Sequence, residues 1–254
     1  MKHEIAKTPN LARSDTLQQM FCCFRFDLDY VPWDAPDAAE FGHGEPAYVL
    51  KLLEYARTEG LKFHFFTSTR VVRAFPATIE TILSEGHALD WLCKHPESVR
   101  ERYAAFEIEI ASLQCEVIGL AAKEYWPAEA AGVIPPNFQF LSAQATVAPT
   151  AFPTAAGADP ASPGGIRFFP VEVRSSRTAI RAGQSARTWA DAAKRQIREN
   201  ATRNRGVTVA ARPQVLARFD PKLQIVRELV SVANLAGLEP MSLREAMRQP
   251  ATAS

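Results

Sequence analysis

The feature that most constrains the fold of this chain is its alternation of short apolar segments with segments of helical periodicity. The run Met20–Phe26 is apolar and aromatic and predicts a buried strand that ends at Asp27–Asp29. A helix with apolar residues at helical spacing follows between Pro46 and Gly60, and residues 62–67 predict a second strand. Strands that alternate with helices favour a parallel sheet, so the sequence predicts an α/β barrel of six or seven strands.

The same alternation continues along the chain and is interrupted once. Residues 143–165 contain eight Ala, four Pro and three Gly, a composition that predicts an irregular surface excursion outside the packed core. We therefore expect a flexible arm at 1–19, one barrel at 20–246 that carries the excursion, and a tail at 247–254. Further strands are predicted near 87–91, 115–120, 138–141, 166–171 and 206–210, and further helices near 77–85, 97–113, 185–204 and 220–237.

Composition excludes several classes of protein. The longest apolar runs cover only a few residues, so no segment is expected to span a bilayer, and the charged N-terminal segment lacks the apolar core of a signal peptide. The four cysteines form no Cys-x-x-Cys pair, which excludes a zinc ribbon and a disulfide framework. These observations predict a cytoplasmic protein.

The candidate chemistry lies just after the predicted strands, where the active sites of parallel barrels are found. Asp27 and Asp29 follow the first strand, and their spacing suits one carboxylate that binds a divalent metal and another that takes a proton. His95 follows the third strand and is a candidate further ligand. Residues on other strand-end loops are candidates for substrate binding: Trp33, Lys123, Tyr125 and Trp126. The aromatic rings among them could stack on sugars or simply pack as a lid.

The order of these segments resembles the polysaccharide deacetylases that contain a NodB homology domain. The resemblance rests on Phe26–Asp29, on the strand 62–66, on Glu85–His87, and on the closing segments 206–213 and 242–246. It implies a distorted (β/α)7 barrel that hydrolyses N-acetyl or O-acetyl groups of carbohydrates with Zn²⁺ or a similar divalent ion. Some relatives hydrolyse small cyclic amides.

The resemblance also assigns roles residue by residue. Asp27 matches the general base, Asp29 matches the metal-binding carboxylate, and His95 matches the second histidine of the metal motif. Trp91 or Leu92 stands where the first metal-binding histidine is expected. The position of the general acid falls at Ala211 or Arg212. The arginine that steadies the base has no clear equivalent, and Lys123 is the nearest cation. Candidates for substitute metal ligands are His43, Asp90 and Cys93.

Two hypotheses follow from these gaps. Either the chain is a metal-dependent deacetylase or amide hydrolase with a modified site, or it is a pseudoenzyme that binds a carbohydrate, an anionic ligand or a partner protein, with a divalent metal or none. In the second case we expect Arg212 near Asp27 as a counter-charge, because a guanidinium cannot usefully donate a proton. His64 and His87 are predicted to be structural, His64 packed under a helix and His87 hydrogen-bonded to the backbone.

A basic segment in the second half of the chain is a separate candidate for binding. Residues 174–205 carry nine Lys and Arg against only Asp191 and Glu199. The side chains of Arg187, Lys194, Arg198 and Arg205 could share one helix face, which is either solvated or attracted to an anionic partner. Nucleic acid is not expected, because the segment holds a single aromatic residue.

Overall fold

The computed structural model describes residues 20–29, 45–93, 99–122, 126, 134–144 and 166–249. The strands are β1 (Phe21–Leu28), β2 (His64–Thr67), β3 (Ala88–Cys93), β4 (Gly119–Ala122), β5 (Phe140–Gln144), β6 (Arg167–Val171), β7 (Val207–Ala211) and β8 (Glu239–Pro240). The helices are α1 (Glu45–Glu59), α2 (Thr69–Ala74), α3 (Pro76–Ser84), α4 (Val99–Ile110), α5 (Ser176–Arg181), α6 (Ala186–Thr202), α7 (Pro213–Phe219), α8 (Gln224–Leu235) and α9 (Leu243–Arg248).

All the strands belong to one parallel sheet that curls into a partial barrel. Its order is β6-β5-β4-β3-β2-β1-β7, and β8 pairs with the first residues of β1. The central strand β1 pairs with β2 on one edge and with β7 on the other, with Asp27 opposite Phe66 and Phe26 opposite Ala211. This architecture confirms the predicted distorted (β/α)7 barrel.

The two faces of β1 separate two layers of the core, because successive side chains of a strand point to opposite faces. Cys22, Phe24, Phe26 and Leu28 pack in the larger apolar cluster together with residues of the surrounding helices. Cys23 packs in a second apolar cluster with residues of the other strands and of α9, including Phe66, Phe140 and Leu243. Arg25 and Asp27 lie on the same face of β1 as Cys23 and are both 1 % exposed.

The helix α9 lies against the amino-terminal ends of the strands. Its first turn carries a capping box, in which the Ser242 hydroxyl accepts from the Glu245 amide and the Glu245 carboxylate accepts from the Ser242 amide. Just before it, the Met241 amide donates to the carbonyl of Cys22 at the beginning of β1. The barrel therefore opens towards the carboxyl ends of the strands. None of the helices described is long and apolar enough to cross a membrane.

Several boundaries differ from the prediction. The strand β3 continues to Cys93, two residues beyond the predicted end at residue 91, and the carboxylate of Asp90 inside it is satisfied by partners within the fold. The prediction placed β4 too early in the chain, and α9 continues beyond residue 246, where the tail was expected to begin. The short helices α2, α5 and α7 were not predicted. Residues 1–19 and 145–165 lie outside the described part of the chain.

Candidate functional site

Two carboxylates, Asp27 in β1 and Asp29 just after it, form a buried cluster with three arginines from different elements at the carboxyl end of the barrel. Successive members of the set Arg25, Asp27 and Asp29 are two positions apart. Because side chains alternate between the two faces of an extended chain, all three point to the inner face. Arg212 directly follows β7, the neighbour of β1, and Arg177 belongs to α5. Asp29 and Arg212 are 2 % and 1 % exposed, and Arg177 is 6 % exposed. Charges this well buried require partners.

Arg25 holds Asp27 in a bidentate ion pair. Its Nε donates to Oδ1 of Asp27 over 2.6 Å, and its Nη2 donates to Oδ2 over 2.9 Å. The guanidinium also donates hydrogen bonds to β5 and β4. Its Nη1 donates to the carbonyl and hydroxyl of Ser142, and its Nη2 donates to the carbonyl of Ala122. The guanidinium also lies 5.1 Å from the centre of the Phe66 ring. Both oxygens of Asp27 are thus engaged by one cation that the barrel wall holds in place.

Arg212 and Arg177 converge on Asp29. The Nη1 of Arg212 donates to Oδ2 of Asp29 over 2.6 Å, and the Nη1 of Arg177 lies 3.5 Å from the same oxygen. The backbone of Arg212 is fixed as well, because its amide donates to the hydroxyl of Ser176 on α5. The carboxylate that the family resemblance assigns to the metal is therefore bound by guanidinium groups.

The pairing of Arg212 corrects the sequence prediction, which made it the counter-charge of Asp27. In the structure Arg25 pairs with Asp27, and Arg212 pairs with Asp29. The register explains the difference: Ala211 lies opposite Phe26, so Arg212 begins beside Asp27 and its long side chain extends to the next inward carboxylate.

A catalytic divalent metal does not fit the donors that the structure describes. Zinc enzymes ordinarily bind the metal through three protein ligands at about 2.0–2.3 Å. Within the described ranges, no three His, Cys, Asp or Glu side chains are grouped so that they could hold an ion. Asp27 has both oxygens on Arg25, and Oδ2 of Asp29 lies 2.6 Å from a guanidinium nitrogen. A metal cation and a guanidinium compete for the same carboxylate oxygen, and here the guanidinium occupies it.

The other predicted site residues are described only in part. His95, the expected second metal-binding histidine, lies outside the described residues, as does His43. Trp126 is described and is 2 % exposed, with its side chain in the larger apolar cluster. Cys93 is also buried in that cluster. The remaining predicted ligand-binding residues, Trp33, Lys123 and Tyr125, also lie outside the described ranges.

Asp90 belongs to a second buried network, which excludes it as a substitute metal ligand at the barrel mouth. It accepts from the backbone amides of Ile118 and Gly119 and from two nitrogens of Arg244 on α9. Its Oδ2 lies 3.0 Å from Nε2 of His64. Although burial raises the pKa of Asp90, the hydrogen bonds from His64 and Arg244 lower it below its ordinary value. The network joins β2, β3 and α9 at the closed end of the barrel.

The two described histidines are structural, as predicted. Nδ1 of His64 accepts from the Leu243 amide, so Nε2 carries the proton that is donated to Asp90 and the ring is neutral. Burial lowers the pKa of His64, which agrees with this neutral form. Nδ1 of His87 accepts from the Phe63 amide over 3.1 Å, and burial lowers the pKa of His87 to about 4.

The basic segment 174–205 is divided between several roles. Arg177 is part of the buried cluster, and Trp189 is buried against the core. Arg187 and Lys194 both pair with Glu228 on α8, so two of the four cations predicted to form an anion-binding face already hold a carboxylate of this chain. This pairing weakens the attraction that the segment could exert on an anionic partner.

The sequence prediction missed Arg25, Ser142 and Arg177. A signal for Arg25 was present, because an arginine two residues before Asp27 in an apolar strand must share its face. Ser142 and Arg177 reach the cluster through the curvature of the sheet and the packing of α5, for which no local pattern exists.

Comparison with known proteins identifies the fold. No family model matches the sequence, and a search of curated proteins finds no match. A solved structure assigned as a polysaccharide deacetylase from Mycobacterium smegmatis matches with a TM-score of 0.70 and 15 % identity, over 99 % of both chains. A second solved structure, also assigned as a polysaccharide deacetylase and from Pseudomonas aeruginosa, matches with a TM-score of 0.70 and 11 % identity, over 90 % of both chains.

The structures that match also include a pseudoenzyme. A CE4-family pseudoenzyme from Bacillus anthracis matches with a TM-score of 0.56 and 10 % identity, over 91 % of this chain and 66 % of its own. At these identities the matches establish the fold: this chain has the fold of the polysaccharide deacetylases, and the resemblance inferred from the sequence is confirmed at that level.

Proposed function

We propose that this protein is a pseudoenzyme on the polysaccharide deacetylase fold, which binds a carbohydrate at the mouth of its barrel and does not hydrolyse it. The observation that carries the proposal is the buried ion pair between Arg212 and Asp29, whose nitrogen and oxygen lie 2.6 Å apart. Arg212 is one of the two residues, with Ala211, at which the resemblance places the general acid, and it pairs with the carboxylate assigned to the metal.

The chemistry of arginine supports this proposal. A guanidinium remains charged at any physiological pH, so Arg212 cannot give a proton to a leaving group. Arg25 binds both oxygens of Asp27, and a proton taken up by that carboxylate would disrupt a bidentate, charge-assisted pair. The site thus keeps the two carboxylates of the family pattern in an arrangement that favours binding over proton transfer.

A solved relative supports the idea that such a change is reversible. One structure is that of a mutant of a CE4-family pseudoenzyme with restored enzymatic activity. By analogy, Arg212→His removes the competing guanidinium and supplies the residue type that the resemblance expects. Arg218→His makes the same chemical change on the exposed side of α7 and is the matched control.

The first experiment measures acetate release from 4-nitrophenyl acetate with Zn²⁺, Co²⁺ or Ni²⁺. The proposal predicts no metal-dependent turnover by the wild type or by Arg218→His, and measurable metal-dependent turnover by Arg212→His. Metal-dependent turnover by the wild type at about 1 per second or faster, an ordinary enzymatic rate, would overturn the proposal.

The second experiment tests binding. Isothermal titration with chitotriose should show saturable binding to the wild type with no released acetate after prolonged incubation. Absence of binding to chitotriose at millimolar concentration would contradict the assigned ligand class, whereas release of acetate would return the chain to the metal-dependent hydrolases.

A further inference from the structure

A column of packed side chains runs inside the barrel from α9 at the closed end to Asp27 at the mouth. Its members are His64 and Phe66 of β2, and Arg25 and Asp27 of β1. The register of the two strands places them side by side, with Arg25 opposite His64 and Asp27 opposite Phe66. None of these four residues is more than 1 % exposed. Because a close-packed interior transmits displacements, a change at one end of the column can reach the other.

The end of the column at α9 fixes the ring of His64. Its Nδ1 accepts from the Leu243 amide over 3.0 Å, and its Nε2 lies 3.0 Å from Oδ2 of Asp90. Asp90 is held in turn by Nε and Nη2 of Arg244, each of which donates to one of its two oxygens. Both ring nitrogens of His64 are therefore bonded to α9, one directly and the other through Asp90. The orientation of the imidazole thus depends on the docking of α9.

The other end of the column joins His64 to the ion pair of Arg25 and Asp27. The rings of His64 and Phe66 are stacked, with 4.3 Å between their centroids and an angle of 6° between their planes. The guanidinium carbon of Arg25 lies over the Phe66 ring, 5.1 Å from its centre. A cation over an aromatic ring is attracted more strongly when both are shielded from water, as they are here. Phe66 therefore connects the imidazole that α9 orients with the guanidinium that holds Asp27.

We propose that the docking of α9 controls the Arg25–Asp27 ion pair at the mouth, with His64 and Phe66 as the positioning residues that connect the two ends of the barrel. When α9 is docked, His64 holds the Phe66 ring against the guanidinium, and the ion pair stays closed. When α9 loosens, His64 loses the Leu243 amide, the Phe66 ring gains freedom to move, and the ion pair opens more often. This control does not depend on the carbohydrate binding proposed above, and its test needs no ligand.

The Nε proton of Arg25 reports on the ion pair directly, because it is buried and is donated to Oδ1 of Asp27. Its signal in proton–nitrogen correlation NMR spectra is identified by its absence from Arg25→Lys, and its exchange with solvent measures how often the pair opens. Arg244→Lys loosens α9, because an ammonium cannot reproduce the bidentate contact with Asp90. This variant should accelerate the exchange of the Arg25 Nε proton roughly threefold or more.

Asp220→Ala is the control for a general loss of stability. The Asp220 carboxylate accepts from amides in the first turn of α8, so its removal weakens the fold at a place outside the column. This variant should change the exchange of the Arg25 Nε proton less than about twofold, since local opening does not follow the global stability. Equal acceleration in Asp220→Ala and Arg244→Lys would show that the proton exchanges by global unfolding, and would overturn the proposal.

Phe66→Leu tests the link itself, because it removes the ring and keeps an apolar side chain. Phe169→Leu makes the same change in the same apolar layer, on a ring that packs on Phe21 and Phe140. Phe66→Leu should accelerate the exchange roughly threefold or more, and Phe169→Leu less than about twofold. Once Phe66 is replaced, Arg244→Lys should add no further acceleration, because coupled sites are not additive. Undiminished acceleration by Arg244→Lys in the double variant, or no acceleration by Arg244→Lys alone, would overturn the proposal.

Discussion

The burial of His87 predicts how the stability of this protein depends on pH. Its Nδ1 accepts from the Phe63 amide, and its ring stacks on the Phe63 ring with 5.9 Å between centroids. Burial, reinforced by the nearby Lys62 ammonium, lowers the pKa of His87 from 6.5 to about 4. Protonation would therefore cost the folded state both desolvation and the hydrogen bond to Phe63.

The sign of the effect follows from proton binding. Between pH 6.5 and 4 the unfolded chain binds a proton at His87 and the folded protein does not, so acid favours unfolding. One pKa unit corresponds to about 1.4 kcal/mol, which gives a loss from His87 of roughly 2 kcal/mol by pH 5 and roughly 3 kcal/mol by pH 4. At lower pH both states are protonated and the contribution of His87 no longer changes.

The variant His87→Asn isolates this contribution. The side-chain oxygen of asparagine can replace Nδ1 as the acceptor for the Phe63 amide, but it does not titrate. Urea unfolding of both proteins at pH 7, 6, 5 and 4 should show that the wild type loses roughly 3 kcal/mol more stability than the variant. Equal losses in the two proteins would refute the conclusion that His87 is neutral and buried.

Two further predictions concern buried carboxylates. Arg244→Ala leaves the buried Asp90 without its cation and should lower the free energy of unfolding, measured by urea denaturation, by about 3–5 kcal/mol. The control Arg248→Ala, on the exposed side of α9, should lower it by less than about 0.5 kcal/mol. Asp220→Ala should lower the free energy of unfolding by about 1–2 kcal/mol or more, because the Asp220 carboxylate accepts hydrogen bonds from three amides in the first turn of α8. Thermal or urea unfolding measures this change, and an unchanged stability would contradict the capping role of Asp220.

The fold was predictable because it depends on patterns that are local in the chain. Apolar strands and amphipathic helices alternate with clear stops, such as Gly86, which adopts a φ of +74° after α3. The boundaries were less predictable: β3 ends two residues later than predicted, and β4 begins four residues later than predicted. The partners of Asp90 were not predictable either, because Arg244 on α9 is 154 residues away in the chain.

The candidate site was predictable in position but not in pairing. The sequence placed both carboxylates at the carboxyl end of the first strand, and in the structure Asp27 lies in β1 and Asp29 follows its last residue. Which arginine pairs with which carboxylate depends on the register between β1 and β7 and on the reach of Arg212, neither of which a single sequence specifies. Arg177 reaches Asp29 from a short helix that the sequence pattern did not predict.

The central claim is that guanidinium groups hold Asp29 in place of a metal ion. Isothermal titration of the wild type with Zn²⁺ at neutral pH tests it most directly, with Asp29→Asn as the comparison. The claim predicts no binding tighter than millimolar in the wild type, and no difference between the two proteins. Binding of Zn²⁺ at micromolar concentration by the wild type that disappears in Asp29→Asn would show that the carboxylate binds metal, and would contradict the claim.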